Sequence, residues 1–313
     1  MIYTEGLCKV FDREVKAVDE LNLETPSGEI FGLLGPNGAG KTTTIRLLSC
    51  ILEPTAGEAV VADLSVRDDR EQIRQQIGLL SETPSLYERL SSRKNLQSIG
   101  RLYGLTLEQV NHRIDDLSSL LEFQQYLDVE AGKLSKGNKH KVAIARAMLH
   151  EPRVLFLDEP TSSLDPEMAL VVRETIEKLT DSYNSTVLIC THNLHEAERL
   201  CDRVGIINNG HLLSVGTLDD LFQEATTDLS VEVELVNFSE DFLSVLHQVT
   251  GIQNIQADSN SSTIVFDTED PINCIPDVVE TLVRANARVL SVNQRKHSLE
   301  DLYFDIIGRG DQS

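Results

Sequence analysis

The chain has 313 residues, room for about two domains, and its 41% hydrophobic and 25% charged content excludes a mainly disordered or low-complexity polypeptide. Mean hydropathy is -0.16, and no apolar run approaches the roughly 18–20 residues of a membrane helix. Asp and Glu number 50 against 28 Lys and Arg, a formal charge of -22, which repels a phosphate backbone and argues against nucleic-acid binding.

Ten lysines against 18 arginines admit adaptation to high internal salt beside the plainer reading of an acidic cytoplasmic protein. Cys8, Cys50, Cys190, Cys201 and Cys274 are widely spaced and form no CxxC pair. Neither a disulfide framework nor a zinc site is expected from them, and a reducing compartment is. The opening Met1-Ile2-Tyr3-Thr4-Glu5 has no basic stretch followed by an apolar run, so no secretory or transit segment is expected.

From Ile2 to about Phe222, strand patterns alternate with longer helical ones, the sign of an α/β domain on a largely parallel sheet. Ile30-Phe31-Gly32-Leu33-Leu34 is a buried strand, and a helix is expected from about Lys41. Val154-Leu155-Phe156-Leu157 and Val187-Leu188-Ile189 are further apolar strands, the second running into a core Cys190. Beyond Glu224-Ala225-Thr226-Thr227 the pattern changes: Ser230-Val231-Glu232-Val233-Glu234-Leu235 alternates as a strand with one wet face does. Phe242, Val245, Leu246 and Val249 share one helical face, as do Ile275, Val278, Val279 and Leu282. With strands at Thr263–Phe266 and Arg288–Val292 and another after the first helix, the order is β-α-β-β-α-β plus a terminal helix, a ferredoxin-like α+β unit. Domains are therefore expected at 1–225 and 226–313. The second carries 15 acids and 5 bases, so neither part is a basic arm, and no polar cluster in it marks a ligand site.

Gly35-Pro36-Asn37-Gly38-Ala39-Gly40-Lys41-Thr42 is a full G-x-x-x-x-G-K-[ST] match between that first apolar strand and its helix. The glycines let backbone N–H groups turn toward phosphate oxygens, and the helix start aims its positive dipole end at them. Lys41 is expected on the β- and γ-phosphates, and the Thr42 hydroxyl on Mg²⁺, a hard ion that takes oxygen ligands. Thr43 follows in the same turn. Asp158 and Glu159 end the Val154–Leu157 strand, at the carboxyl end where open α/β sheets place ligands. Asp158 suits the Mg²⁺ shell, and Glu159 suits the orientation or deprotonation of the water attacking the γ-phosphate.

These residues resemble the nucleotide-binding subunit of ATP-binding cassette (ABC) transporters, in features that ordinary P-loop ATPases lack. Leu134-Ser135-Lys136-Gly137-Asn138 resembles the ABC signature. The resemblance implies that Ser135 and Gly137 bind the γ-phosphate of ATP held by the opposite subunit of a head-to-tail homodimer. Ser163-Leu164-Asp165 resembles the D-loop that crosses that interface, and His192 the switch histidine on the γ-phosphate. Phe11 matches the aromatic residue that stacks on adenine. Ile77-Gly78-Leu79-Leu80-Ser81-Glu82 resembles the Q-loop, with Glu82 standing where the family has a glutamine of the Mg²⁺ shell. Asn138 and Ser163 depart from the family pattern as well.

The implied fold is a P-loop NTPase ABC cassette: a parallel sheet core, an N-terminal antiparallel β-subdomain and a helical subdomain. Thr83 to Leu90 through Arg101-Leu102-Tyr103-Gly104-Leu105 and the Leu134-Ser135-Lys136-Gly137 spelling are similar to the ATPases of ABC-2 type systems, mostly exporters, and Ser298-Leu299-Glu300-Asp301-Leu302-Tyr303 resembles the end of the drug- and antibiotic-export ATPases of that group. That likeness implies an ATPase with ATP and Mg²⁺, on the cytoplasmic face of the membrane, docked on a separate integral-membrane permease. A soluble ABC protein acting on ribosomes or DNA is the alternative, and one cassette with an acidic surface counts against it.

Overall fold

The computed structural model describes residues 1–12, 14–162, 164–183, 185–225, 229–258, 262–295 and 299–310. Two long strands open the chain, β1 (Ile2–Phe11) and β2 (Val15–Thr25), paired antiparallel with Ile2 opposite Thr25. They are followed by β3 (Ile30–Leu34), α1 (Lys41–Leu48), β4 (Ala56–Val61), β5 (Leu64–Ser65), α2 (Arg70–Gln76) and β6 (Ile77–Leu80). The helices α3 (Ser92–Leu102), α4 (Leu107–Leu120) and α5 (Lys136–Met148) come next. After them stand β7 (Val154–Asp158), α6 (Pro166–Tyr183), β8 (Thr186–Thr191), α7 (Leu194–Leu200), β9 (Arg203–Asn208) and β10 (His211–Gly216).

One sheet is antiparallel, in the order β2-β1-β4-β5; the other runs β10-β9-β3-β8-β7-β6, parallel except for the β10 edge. Every residue of β3, β7 and β8 is buried. A parallel strand covered on both faces needs apolar side chains on both, hence the uninterrupted apolar runs. Alternate residues enter two separate cores. Val187 and Ile189 pack with Leu96, Ile114 and Val142 of the helical layer, whereas Leu188 and Cys190 pack with Leu7, Val18 and Ile45 on the other face. The helical layer begins with well-capped helices. Ser91 accepts the Lys94 N–H at the start of α3, and Thr106 and Gln109 form a capping box at the start of α4.

The later elements are α8 (Leu218–Ala225), β11 (Leu229–Leu235), α9 (Asp241–Leu246), β12 (Gln253–Asp258), β13 (Thr263–Thr268), α10 (Pro271–Arg284), β14 (Val289–Arg295) and α11 (Leu299–Gly310). The last four strands form a separate antiparallel sheet in the order β12-β13-β11-β14, the pattern of a split β-α-β. Val231, Val233, Ile264 and Phe266 give it a core with Phe242, Leu246, Val278 and Leu282 of the two helices. Helix α9 stops at Leu246, so Val249 lies beyond it and only packs against that core.

The chain separates into two compact units, Met1–Leu218 together with Ile306–Ser313, and Asp219–Asp305. Residues 226–228, at the boundary expected from the sequence, lie outside the described residues. Contrary to the expectation for the second unit, a polar cleft exists in it, lined by Glu269, Asp270, Asn273, Cys274 and Asp277 among others. Its residues come from the β13–α10 turn and the start of α10 together with Thr250, Gly251 and Gln253 around the start of β12, a convergence that linear spacing did not display. Among the described residues, no helix is long and apolar enough to cross a membrane.

Candidate functional site

Register decides where the chemistry gathers. Leu34 pairs with Thr191, Asp158 with Cys190 and Leu80 with Leu157, so β3, β8, β7 and β6 end at one level of the sheet. The segments that leave those ends carry the phosphate loop, His192, Glu159 and Glu82. They line one pocket, formed by Asn37, Gly38, Gly40, Lys41, Thr42, Thr43, Glu82, Glu159, Ser162 and His192. This is the carboxyl-end crevice in which open α/β sheets hold ligands.

The turn into α1 depends on Gly40, its N-cap, which has φ 113°. A Cβ there would stand 2.4 Å from the Ala17 carbonyl oxygen, so only glycine lets the loop close against β2. No side chain caps the helix and no acid sits in its first turn, which leaves the N–H groups and dipole of α1 facing the pocket. Lys41 is 6% exposed and donates to the carbonyls of Gly35 at 2.7 Å and Pro36 at 3.2 Å. Its Nζ stands 3.7 Å from Glu159 Oε1.

Glu159 adopts φ 52°, a left-handed conformation that costs a non-glycine residue about 1–3 kcal/mol and is concentrated at functional sites. Its N–H donates to the Cys190 carbonyl at 2.8 Å, which keeps the end of β7 against β8. Through this turn the carboxylate reaches Lys41 on one side and His192 Nδ1, at 2.8 Å from Oε2, on the other.

Asp158 sits one residue earlier and is 7% exposed; its Oδ1 accepts the Thr42 hydroxyl at 3.1 Å. Burial pushes its carboxyl above the ordinary range, the Thr42 hydrogen bond opposes, and the charges of Glu159 and Glu82 push it further up. Such an electron-rich group gains from a cation. A hydroxyl and a carboxylate in contact, with Glu82 in the same pocket, are the all-oxygen donor set that a hard divalent ion takes.

Other expected residues stand elsewhere. Ser135 is the N-cap of α5 and accepts the Asn138 N–H, while Gly137 is packed so closely that a Cβ would meet the Met168 side chain at 2.5 Å. Asp165 is exposed and its Oδ1 accepts the Met168 N–H at the start of α6. Ser163 lies outside the described residues. Phe11, at the end of β1, is 41% exposed with Lys9 Nζ 5.2 Å from its ring centroid. Ser135, Gly137, Asp165 and Phe11 do not line the pocket; Gly35, Pro36 and Ala39 shape its loop without lining it. His195 is a surface residue beside Glu198, as expected. Three contributors escaped the sequence reading: Ser162 in the pocket wall, Cys190, whose buried thiol donates to the Lys41 carbonyl, and Glu196, buried in the first turn of α7. No motif distinguishes them: the Cys190 contact is with Lys41 of α1, and the burial of Glu196 is set by tertiary packing.

Comparison with known proteins identifies the family. A family model described as "ABC transporter" matches residues 18–162. The chain is 39% identical over 219 residues to the ABC transporter ATP-binding protein NatA of Bacillus subtilis, which spans 69% of this chain and 88% of that one. It is 32% identical to the bacitracin transport ATP-binding protein BcrA of Bacillus licheniformis, over 99% of this chain and 98% of that one. A solved structure titled as the ATP binding subunit of an ABC transporter superposes with a TM-score of 0.66 at 31% identity, covering 72% of this chain and 92% of that one. The chain belongs to the ATP-binding proteins of ABC transporters, an ATPase family.

Proposed function

We propose that the chain energises export by an ABC-2 type membrane system, as a peripheral subunit on the cytoplasmic face of the membrane, docked on a separate permease. Two copies close on two ATP molecules and reopen after hydrolysis. The observation that carries this reading is the division of the site. Lys41, Glu159 and His192 share a pocket that Ser135 and Gly137 do not line, so the signature of one copy is free to meet nucleotide held by the phosphate loop of another. ATP that bridges both stabilises only the closed pair, and hydrolysis removes that bias. The full-length likeness to a bacitracin transport protein supports export.

In the first step the amides of the 35–42 loop take the phosphates, and Lys41 leaves the Gly35 and Pro36 carbonyls for the β- and γ-phosphates. Thr42, Asp158 and Glu82 would hold Mg²⁺, which supplies charge neutralisation to the phosphates when bound. Glu159 orients the attacking water and accepts its proton, while His192, in contact with that carboxylate, holds the γ-phosphate. Phe11 stacks on the adenine and Asp165 crosses to the second copy. The 226–313 region serves dimer stability; deleting the residues after Ala225 is expected to weaken assembly or transport and to spare nucleotide binding.

The test is affinity purification of the tagged chain from native membranes in a non-hydrolysable ATP analogue, followed by identification of what accompanies it. Recovery of an integral-membrane protein of about six helices supports the transporter reading. Recovery of ribosomal or soluble partners alone refutes it in favour of a non-transport ABC ATPase.

A further inference from the structure

Glu196 is a carboxylate that the proposed hydrolysis does not use, yet it is 1% exposed in the first turn of α7. Three hydrogen bonds close the turn around His192. The Thr191 hydroxyl donates to Glu196 Oε2 at 2.8 Å, the Asn193 N–H donates to Thr191 Oγ1 at 3.0 Å, and the Glu196 N–H donates to Asn193 Oδ1 at 3.2 Å. The His192 side chain itself is 56% exposed, so the turn, more than packing, sets where its ring stands. Only Oε2 of the Glu196 carboxylate is satisfied, by the Thr191 hydroxyl; Oε1 is buried with no hydrogen-bond partner among the described residues. One buried group therefore closes the turn that carries His192 onto the end of β8.

Burial of a carboxylate costs free energy unless hydrogen bonds satisfy it. Here burial pushes the Glu196 carboxyl above the ordinary range, and the Thr191 hydrogen bond opposes that rise. An apolar side chain would fill the space at lower cost but would leave the Thr191 hydroxyl without its acceptor and the turn without its tie.

We propose that Glu196 is the positioning residue of the hydrolytic pair: by accepting the Thr191 hydroxyl it closes the turn around His192 and holds that ring in hydrogen-bond reach of Glu159. The inference rests on the reading of Glu159 and His192 as that pair, and the two are separable by experiment.

The full-length chain and its E196A, E196Q, T191V and E159A variants are compared by long-range proton–nitrogen spectra of the histidine rings. The His192 signal is assigned by its loss in H192Q, and steady-state ATP turnover is measured on the same samples. E159A removes the acceptor at Nδ1 and sets the displaced position of that signal. E196A and T191V are expected to move the signal in the same direction, with kcat down about tenfold or more and KM for ATP within about twofold. E196Q, which keeps an oxygen acceptor for Thr191, is expected to retain the wild-type signal and most of kcat. If E196A does not fold, T191V decides. A merely structural role lowers the melting temperature but leaves the His192 signal and kcat per folded molecule unchanged, and that result overturns the proposal. A wild-type chain that binds ATP without turnover overturns the hydrolytic reading instead, and the ring signal then decides the role of Glu196 alone.

Discussion

Glu159→Gln separates nucleotide binding from turnover at a single atom. Glutamine keeps the size of the side chain and can still meet His192, but it gives up the basic oxygen and the negative charge 3.7 Å from Lys41 Nζ. At that distance and an effective dielectric of about 20, the lost attraction between carboxylate and ammonium is about 4 kcal/mol before solvent and mobility reduce it. Lys41 is thereby released from a competitor for the phosphates, so ATP affinity is expected to hold or rise. Loss of a general base is worth about 10²–10⁴-fold in rate, or about 3–5 kcal/mol on the barrier. The expected result is turnover at or below about 1% of wild type with undiminished ATP binding, and a dimer that persists on size-exclusion chromatography in ATP. Phosphate release within about threefold of wild type refutes the assignment of Glu159; weakened ATP binding refutes the account of Lys41.

Further perturbations test neighbouring parts of the same site. Gly40→Ala forces a Cβ to within 2.4 Å of the Ala17 carbonyl at φ 113°, and is expected to cost about 2 kcal/mol or more in denaturant unfolding and to abolish binding of a fluorescent ATP analogue. Glu82→Gln removes a charge that helps to raise the Asp158 carboxyl; binding of ATP in excess EDTA is expected to tighten severalfold by calorimetry, and unchanged affinity places Glu82 away from the phosphates. Because the folded state raises the Glu196 carboxyl above its ordinary value near 4.5, folding takes up protons there, and wild-type stability from that group falls as pH rises through the window above 4.5. Glu196→Gln is therefore expected to gain in melting temperature relative to wild type as pH increases from 4.5, with the difference smallest below it; a constant difference across pH refutes the assignment.

Much of the site is legible in the sequence because its steps are local. The phosphate loop needs glycines where the backbone turns and a lysine and threonine at a helix start, so eight consecutive residues, Gly35–Thr42, state its chemistry. Asp158 and Glu159 are legible because a buried strand has no other use for two acids at its end. The β-α-β-β-α-β unit is legible for the same reason: Ser230–Leu235 alternates with period two and Ile275–Leu282 repeats on one helical face. What decides the rest is register. Only the pairing of Asp158 with Cys190 and of Leu34 with Thr191 puts His192 Nδ1 on the Glu159 carboxylate, 33 residues away in the chain. Glu196 and Glu198 are indistinguishable acids in sequence, and tertiary packing buries the first while the second remains exposed beside His195. The polar cleft at the start of α10 likewise exists because Thr250, Gly251 and Gln253 are brought against residues 268–277, a proximity that no linear spacing encodes. Periodicity and motif spacing are properties of one segment at a time; hydrogen-bond partners and burial belong to pairs of segments, and the folded sheet alone selects the pairs.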